Sequence, residues 1–187
     1  MKKDCRLKIL MLIFLFANVP IESHSQITKQ KASNLGKWVV PTYQGLALGK
    51  SKKADVLRLF GKPSAIVHPE DEYDNPVRSL ISFYYYNVGG LQGNTEITMR
   101  IKTGVVTTII LYPDDLTFEN VIERFGTNYI ERDMNLGPCP TAREKKASRP
   151  SREKNYPLFL VYPQKGLYVF VGEENKVRAI VYLLSCP

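Results

Sequence analysis

The residues of this chain that could do chemistry are few, and they do not form a familiar catalytic set. There are two histidines, and His24 lies in an N-terminal segment that reads as removable. A Ser–His–Asp triad would therefore rest on His68 alone, with no Gly-x-Ser-x-Gly elbow to accompany it. The same count removes a histidine-based zinc site, and Cys139 and Cys186 lack ligand spacing. Glu70, Asp71, Glu72 and Asp74 offer oxygens to calcium, but without the Gly and terminal Glu of a twelve-residue EF-hand loop; they read as a solvated acidic loop. Gly45–Ser51, GLALGKS, is one residue short of a phosphate-cradling P-loop, with Gln44 where its first Gly belongs. Ser51 reads instead as a helix N-cap, and no nucleotide is expected. No carboxylate pair stands out for glycoside hydrolysis. The expectation is a non-enzyme with no metal and no cofactor.

The alternative to catalysis is a surface. Tyr84, Tyr86, Arg100, Lys102, Tyr112, Arg178 and Tyr182 fall on the strand phase opposite the aliphatic positions. Tyr and Arg are the types enriched where binding energy concentrates, so these seven make a candidate partner-binding face. Two blander readings stand beside it: Tyr simply suits strands, or this face is covered by the rest of the chain. A second candidate is the basic segment Thr141–Lys154, with Arg143, Lys145, Lys146, Arg149, Arg152 and Lys154. It reads as a solvated loop or as a contact for an anionic surface such as phospholipid or nucleic acid.

Location narrows the partner. Lys2, Lys3, Arg6 and Lys8 precede an unbroken apolar run, Ile9–Ala17, and Ser23-His24-Ser25 supplies small residues before Gln26. This is the pattern of a secretory signal peptide over residues 1–25. The apolar run is shorter than the roughly 20 residues of a membrane span, and Cys5 precedes it, so no lipid anchor is expected. The protein is expected to be exported, periplasmic or secreted. Export removes Cys5 and leaves Cys139 and Cys186 in an oxidising compartment. A bridge between them would close a loop of nearly fifty residues, worth about 4 kcal/mol; two free thiols are the alternative. The net charge of +8 and 44% hydrophobic content suit a basic globular protein.

Elements must position these residues, and they are written twice. Residues 26–44 read as a flexible start, with Trp38-Val39-Val40 a possible edge strand halted by Pro41. Ser51–Pro63 then reads as a short helix with Val56, Leu57 and Phe60 on one face, Gly61 at its left-handed end and Pro63 as its stop. Asp115–Asn128 is a degenerate copy: Asp55–Gly61 lies over Asn120–Gly126, apolar on apolar and Gly on Gly. Thr117 caps the second helix, with Leu116 and Val121 as a hydrophobic staple. After the first helix come Ala65–Val67, then alternating runs at Ser79–Tyr86, Glu96–Lys102 and Val105–Tyr112. After the second come Tyr129–Arg132, Leu158–Tyr162, Leu167–Val171 and Val177–Leu184. The expected fold is α+β. It comprises two tandem units, residues 45–112 and 113–187, each a short helix region packed on an antiparallel sheet of about four strands.

With these units drawn, the phrase Leu48-Gly49-Lys50-Ser51, Asp55-Val56, Leu59-Phe60-Gly61-Lys62-Pro63 resembles the signature of the SmpA/OmlA (BamE) envelope proteins. The tandem arrangement is similar to the β-lactamase inhibitor protein (BLIP) fold. The resemblance implies helix-plus-sheet units that present a sheet face to a protein partner; unlike SmpA/OmlA proteins, this chain has two units and no lipobox. The functional expectation is an exported protein-binding module of the cell envelope. The alternatives are an envelope-polymer hydrolase using a carboxylate pair, or binding of anionic lipid through residues 141–154.

Overall fold

A computed structural model describes residues 38–70, 77–134, 137–139 and 157–185. The expected signal peptide (residues 1–25), the acidic residues of 71–76, the basic segment 141–154 and Cys186 lie outside the described residues. The fold is α+β. A two-residue ribbon, β1 (Thr42–Tyr43) against β2 (Leu46–Ala47), leads into α1 (Lys53–Phe60). Then follow β3 (Ala65–Val67), β4 (Leu80–Tyr86), β5 (Gly93–Arg100) and β6 (Val106–Pro113). After α2 (Phe118–Phe125) come β7 (Ile130–Asp133), β8 (Leu158–Tyr162), β9 (Leu167–Val171) and β10 (Val177–Leu183). Strands β3 to β10 make one eight-stranded antiparallel sheet, ordered β3-β4-β5-β6-β10-β9-β8-β7. No described helix is long and apolar enough to cross a membrane.

Alternation of apolar residues builds one face of this sheet. Cross-strand partners share a face, and one row reads Ile66–Phe83–Ile97–Ile109–Tyr182–Leu167–Tyr162. The helices cover this face, with Val56 and Val121 fully buried as their anchors. Each such side chain removed from water contributes roughly 1.5–3 kcal/mol, which an isolated eight-residue helix needs, being marginal alone.

The two helices are held alike. Phe60 packs on Tyr85 with ring centroids 5.6 Å apart, and Phe125 on Tyr162 at 5.8 Å. The Tyr85 hydroxyl donates to the carbonyl of Gly61 at 3.2 Å, and that of Tyr162 to Gly126 at 3.0 Å. Both glycines have positive φ, 75° and 84°, a region with extended ψ open essentially to Gly alone.

Several expectations are corrected. Trp38–Val40 forms no strand; it is tied down by the Trp38 indole N–H donating to Leu183 O (3.0 Å) and by Val39 N to Pro163 O. Ser51 does not cap α1. Its hydroxyl accepts from Ala47 N (3.0 Å), and Asp55 reaches back to Lys52 N instead. Leu57 is 38% exposed rather than buried beside Val56. Thr117 caps α2 as expected, accepting from Asn120 N. Strand β5 stops at Arg100, where Gly104 N bonds back to Arg100 O, so Ile101 is exposed and Lys102 lies in the turn.

Candidate functional site

The second face of the sheet carries what the core does not use. Its central row is Ala65–Tyr84–Glu96–Ile110–Val181–Tyr168–Val161–Ile130. Tyr86, Asn94 and Tyr112 flank it on one half, and Phe170, Phe159 and Arg132 on the other. Glu96 is the single acid among the described strand residues of this face.

Glu96 sits at the centre, only 6% exposed. Tyr112 donates its hydroxyl to Oε2 at 3.1 Å and Thr98 donates to Oε1 at 3.4 Å. Ser82, fully buried, continues the chain to Thr98 at 2.9 Å. Tyr84 lies directly across from Glu96 in the β4–β5 pairing. These partners shift the phenols in turn. Burial and then the Glu96 carboxylate push Tyr84 up to about 12. Burial and the Glu96 charge raise Tyr112 further, with Tyr84 and Tyr168 adding to it. Both phenols are therefore neutral donors at any physiological pH. Beyond them the aromatic surface continues: Phe159 meets Tyr168 edge-on and Phe170 at a tilt, each with centroids 5.4 Å apart.

Of the seven site residues expected from sequence, the structure gathers three. Tyr112 donates to Glu96, Tyr84 faces it across the β4–β5 pairing, and Tyr86, 57% exposed, stands beside them with its hydroxyl on Asp114 (3.1 Å). Arg100 is on the same face but exposed at the far end of β5, opposite Leu80. Lys102 belongs to the following turn. Arg178 is the extra residue of a bulge in β10, exposed beside Gly172. Tyr182 is a correction: it faces the core, 7% exposed, with its ring 5.3 Å from that of Tyr43. The bulge between Val177 and Ala179 reverses the alternation after it, which phase counting along the sequence cannot anticipate.

The face is thus not basic at its middle, and it is not fully open there. Glu96, Thr98, Ser82, Val161, Val181 and Arg132 are all buried, and exposure falls at the edges, at Ala65, Val67, Tyr86, Asn94, Tyr112 and Arg100. Sequence reasoning missed Glu96, Tyr168, Phe170 and Phe159. Glu96 is legible only once β4, β5 and β6 are laid side by side. The aromatics hide in β8 and β9, where both phases are apolar and no alternation marks a face. Cys139 is in a disulfide whose partner lies outside the described residues. Among the described residues no group of three or more His, Cys, Asp or Glu could hold a metal ion. His68 is occupied locally, its Nδ1 2.8 Å from Leu80 O.

A carboxylate framed by neutral phenols can accept hydrogen bonds and balance charge. The described strand residues around it supply neither a second carboxylate nor a thiol or imidazole to share a proton-transfer step.

No model of a known protein family matches the chain, and no curated protein does. The chain is similar to the crystal structure of a DUF4309 family protein (YjgB) from Bacillus subtilis. The identity is 16%, over 76% of this chain and 84% of that one, with a TM-score of 0.41.

Proposed function

We propose that this is an exported, non-enzymatic protein of the cell envelope that binds another protein through the second face of its sheet. The observation that carries the reading is the cluster of Tyr84, Tyr112 and exposed Tyr86 around Glu96, on the face the helices leave uncovered. Large amphipathic rings with fixed hydroxyls bind at low entropic cost. Export rests on the N-terminal sequence pattern.

The same reading includes a duplication, with units at residues 45–112 and 113–187. Its support is the matched pair of locks, Phe60–Tyr85–Gly61 and Phe125–Tyr162–Gly126. The isolated bridges Lys52–Val105 and Thr117–Lys176, at corresponding places before each helix, add to it. The mirrored strand order, β3 to β6 followed by β10 to β7, is what two such modules give when joined along their last strands. The likeness to SmpA/OmlA and BLIP proteins enters as analogy of architecture.

The test is affinity capture from envelope extract by the wild type and by Tyr84→Ala/Tyr86→Ala. The reading expects at least one protein retained by the wild type and lost by the variant. Identical capture by both would overturn it.

A further inference from the structure

We propose that a second copy of this chain pairs with the free edge of β3, antiparallel about a two-fold axis at Ile66, joining two sheets into one. The inference goes beyond the docking face and does not depend on it. β3 is the terminal strand of the described sheet, and it is unlike the strand at the other end. Ala65, Ile66 (55%) and Val67 (40%) are all exposed, an apolar edge of the kind that recruits another strand. β7 instead carries Glu131, Arg132 and Asp133, and its Arg132 is buried with Nε donating to Gly137 O at 2.8 Å. Charges and a covering segment guard that edge.

Three observations specify a copy of this chain as the occupant. First, the ladder leaves the right backbone groups free. Asn87 N bonds Gly93 O and Ile101 N bonds Ser79 O, so the odd-numbered residues of β4 face β5. Ser82 and Tyr84 therefore face β3, where Val67 and Ala65 are their mates. That turns the Ile66 N–H and C=O outward, and two copies meeting there exchange both bonds. Second, the sequence is symmetric about Ile66. Pro63 and Pro69 stand three residues to either side; they lack an N–H and close the pairing at both ends. Between them lies no Lys, Arg, Asp or Glu to repel its own copy, and Ala65 meets Val67 of the second copy. Third, the charges complement each other. Lys62 and Glu70, both exposed, stand four residues to either side of Ile66. The two-fold brings the basic end of each copy to the acidic end of the other, twice. Such an isologous contact closes on itself, so the edge recruits no further strand. Antiparallel mates share a face, so both copies turn the face that the helices leave uncovered to the same side.

The experiment is analytical sedimentation of the protein as its host processes it, at low salt, over a concentration series from micromolar to millimolar. Pairing through one short strand lies at the small, weak end of specific interfaces, so a reversible monomer–dimer equilibrium is expected within that series. A monomer throughout overturns the inference. Ile66→Lys should stay folded, its site being exposed, and should be monomeric. Lys62→Glu and Glu70→Lys each set like charges together at both ends, and each should weaken the dimer by about threefold to tenfold. Mixed, these two single variants should pair with each other in preference to themselves, and Lys62→Glu/Glu70→Lys should recover wild-type association. A dimer indifferent to all these changes has its contact elsewhere, which sinks the inference. Mates in a bonded antiparallel pair lie about 5.5 Å apart at Cα, within disulfide reach. Ile66→Cys should therefore cross-link to its copy on mild oxidation, whereas Ala65→Cys, facing Val67 of the second copy, should not; the reverse pattern would overturn the register. If a monomeric wild type captures a protein that Ile66→Lys loses, the edge takes a foreign strand, which also overturns the assignment to a second copy.

Discussion

At the residue scale, Glu96 sets what its neighbours are worth. Tyr112 donates to a buried carboxylate, and bonds to charged groups contribute more than neutral ones, about 1.5–3 kcal/mol. Because Tyr112 is 38% exposed, Tyr112→Phe should cost near the lower end, about 1.5 kcal/mol in urea denaturation. The chemically similar bond from exposed Tyr86 to Asp114 should matter little, with Tyr86→Phe within about 0.5 kcal/mol of wild type. The phenols also set a pH dependence. Tyr84 is raised from 10.0 to about 12, so the fold favours its neutral form. That stabilisation is complete below about pH 10 and disappears as the pH rises through about 12. Urea midpoints measured across this window should fall, and fall less steeply in Tyr84→Phe; equal slopes would mean Tyr84 is not perturbed. The aromatic phase of β4 and β6 was readable from alternation, which brought Tyr84, Tyr86 and Tyr112 out correctly. Tyr182 was not readable, since one inserted residue at Arg178 exchanges the faces. Glu96 needed pairing information that no single strand contains.

At the element scale, both helices are capped at their starts and end on a glycine. Gly61 and Gly126 sit at φ 75° and 84° with extended ψ, yet a Cβ at either would meet nothing within 4 Å. Replacement by Ala therefore tests backbone strain alone, and each should cost roughly 1–3 kcal/mol. If the proposed duplication holds, Gly61→Ala and Gly126→Ala should be nearly equal in denaturation experiments, and a clear difference would show that the two ends are held differently. Tyr85→Phe and Tyr162→Phe, each losing one bond to those glycine carbonyls, should cost about 0.5–1.5 kcal/mol. These helix ends were legible because Phe-Gly closes both apolar patterns. The start of α1 was not: Ser51 and Asp55 compete for the same turn, and Ser51 spends its hydroxyl on Ala47 N. Strand bounds drifted where turns intervened, as at Arg100, because the Gly104 bond decides the end and leaves no mark in the hydrophobic pattern.

At the scale of the whole molecule, the question is whether the halves unfold together. They meet along β6 and β10, paired from Leu111–Ile180 to Thr108–Leu183. The core does not stop at that seam: Ile109, Ile180 and Tyr182 belong to the same buried cluster as Val56 and Val121, one under each helix. A seam crossed by hydrogen bonds and by a continuous apolar core couples the halves, so a cut into it weakens both. Ile180 is fully buried there, and Ile180→Ala should cost about 2–5 kcal/mol, the transfer term plus the cavity left behind. The single tryptophan makes the coupling measurable, since Trp38 donates to Leu183 at the end of β10 and so reports on the seam, while far-UV circular dichroism reports on every element. In urea the two signals should give one coincident transition in the wild type and move down together in Ile180→Ala. A tryptophan transition that parts from the dichroism signal would mean that the sheet opens at β6–β10 before its halves melt.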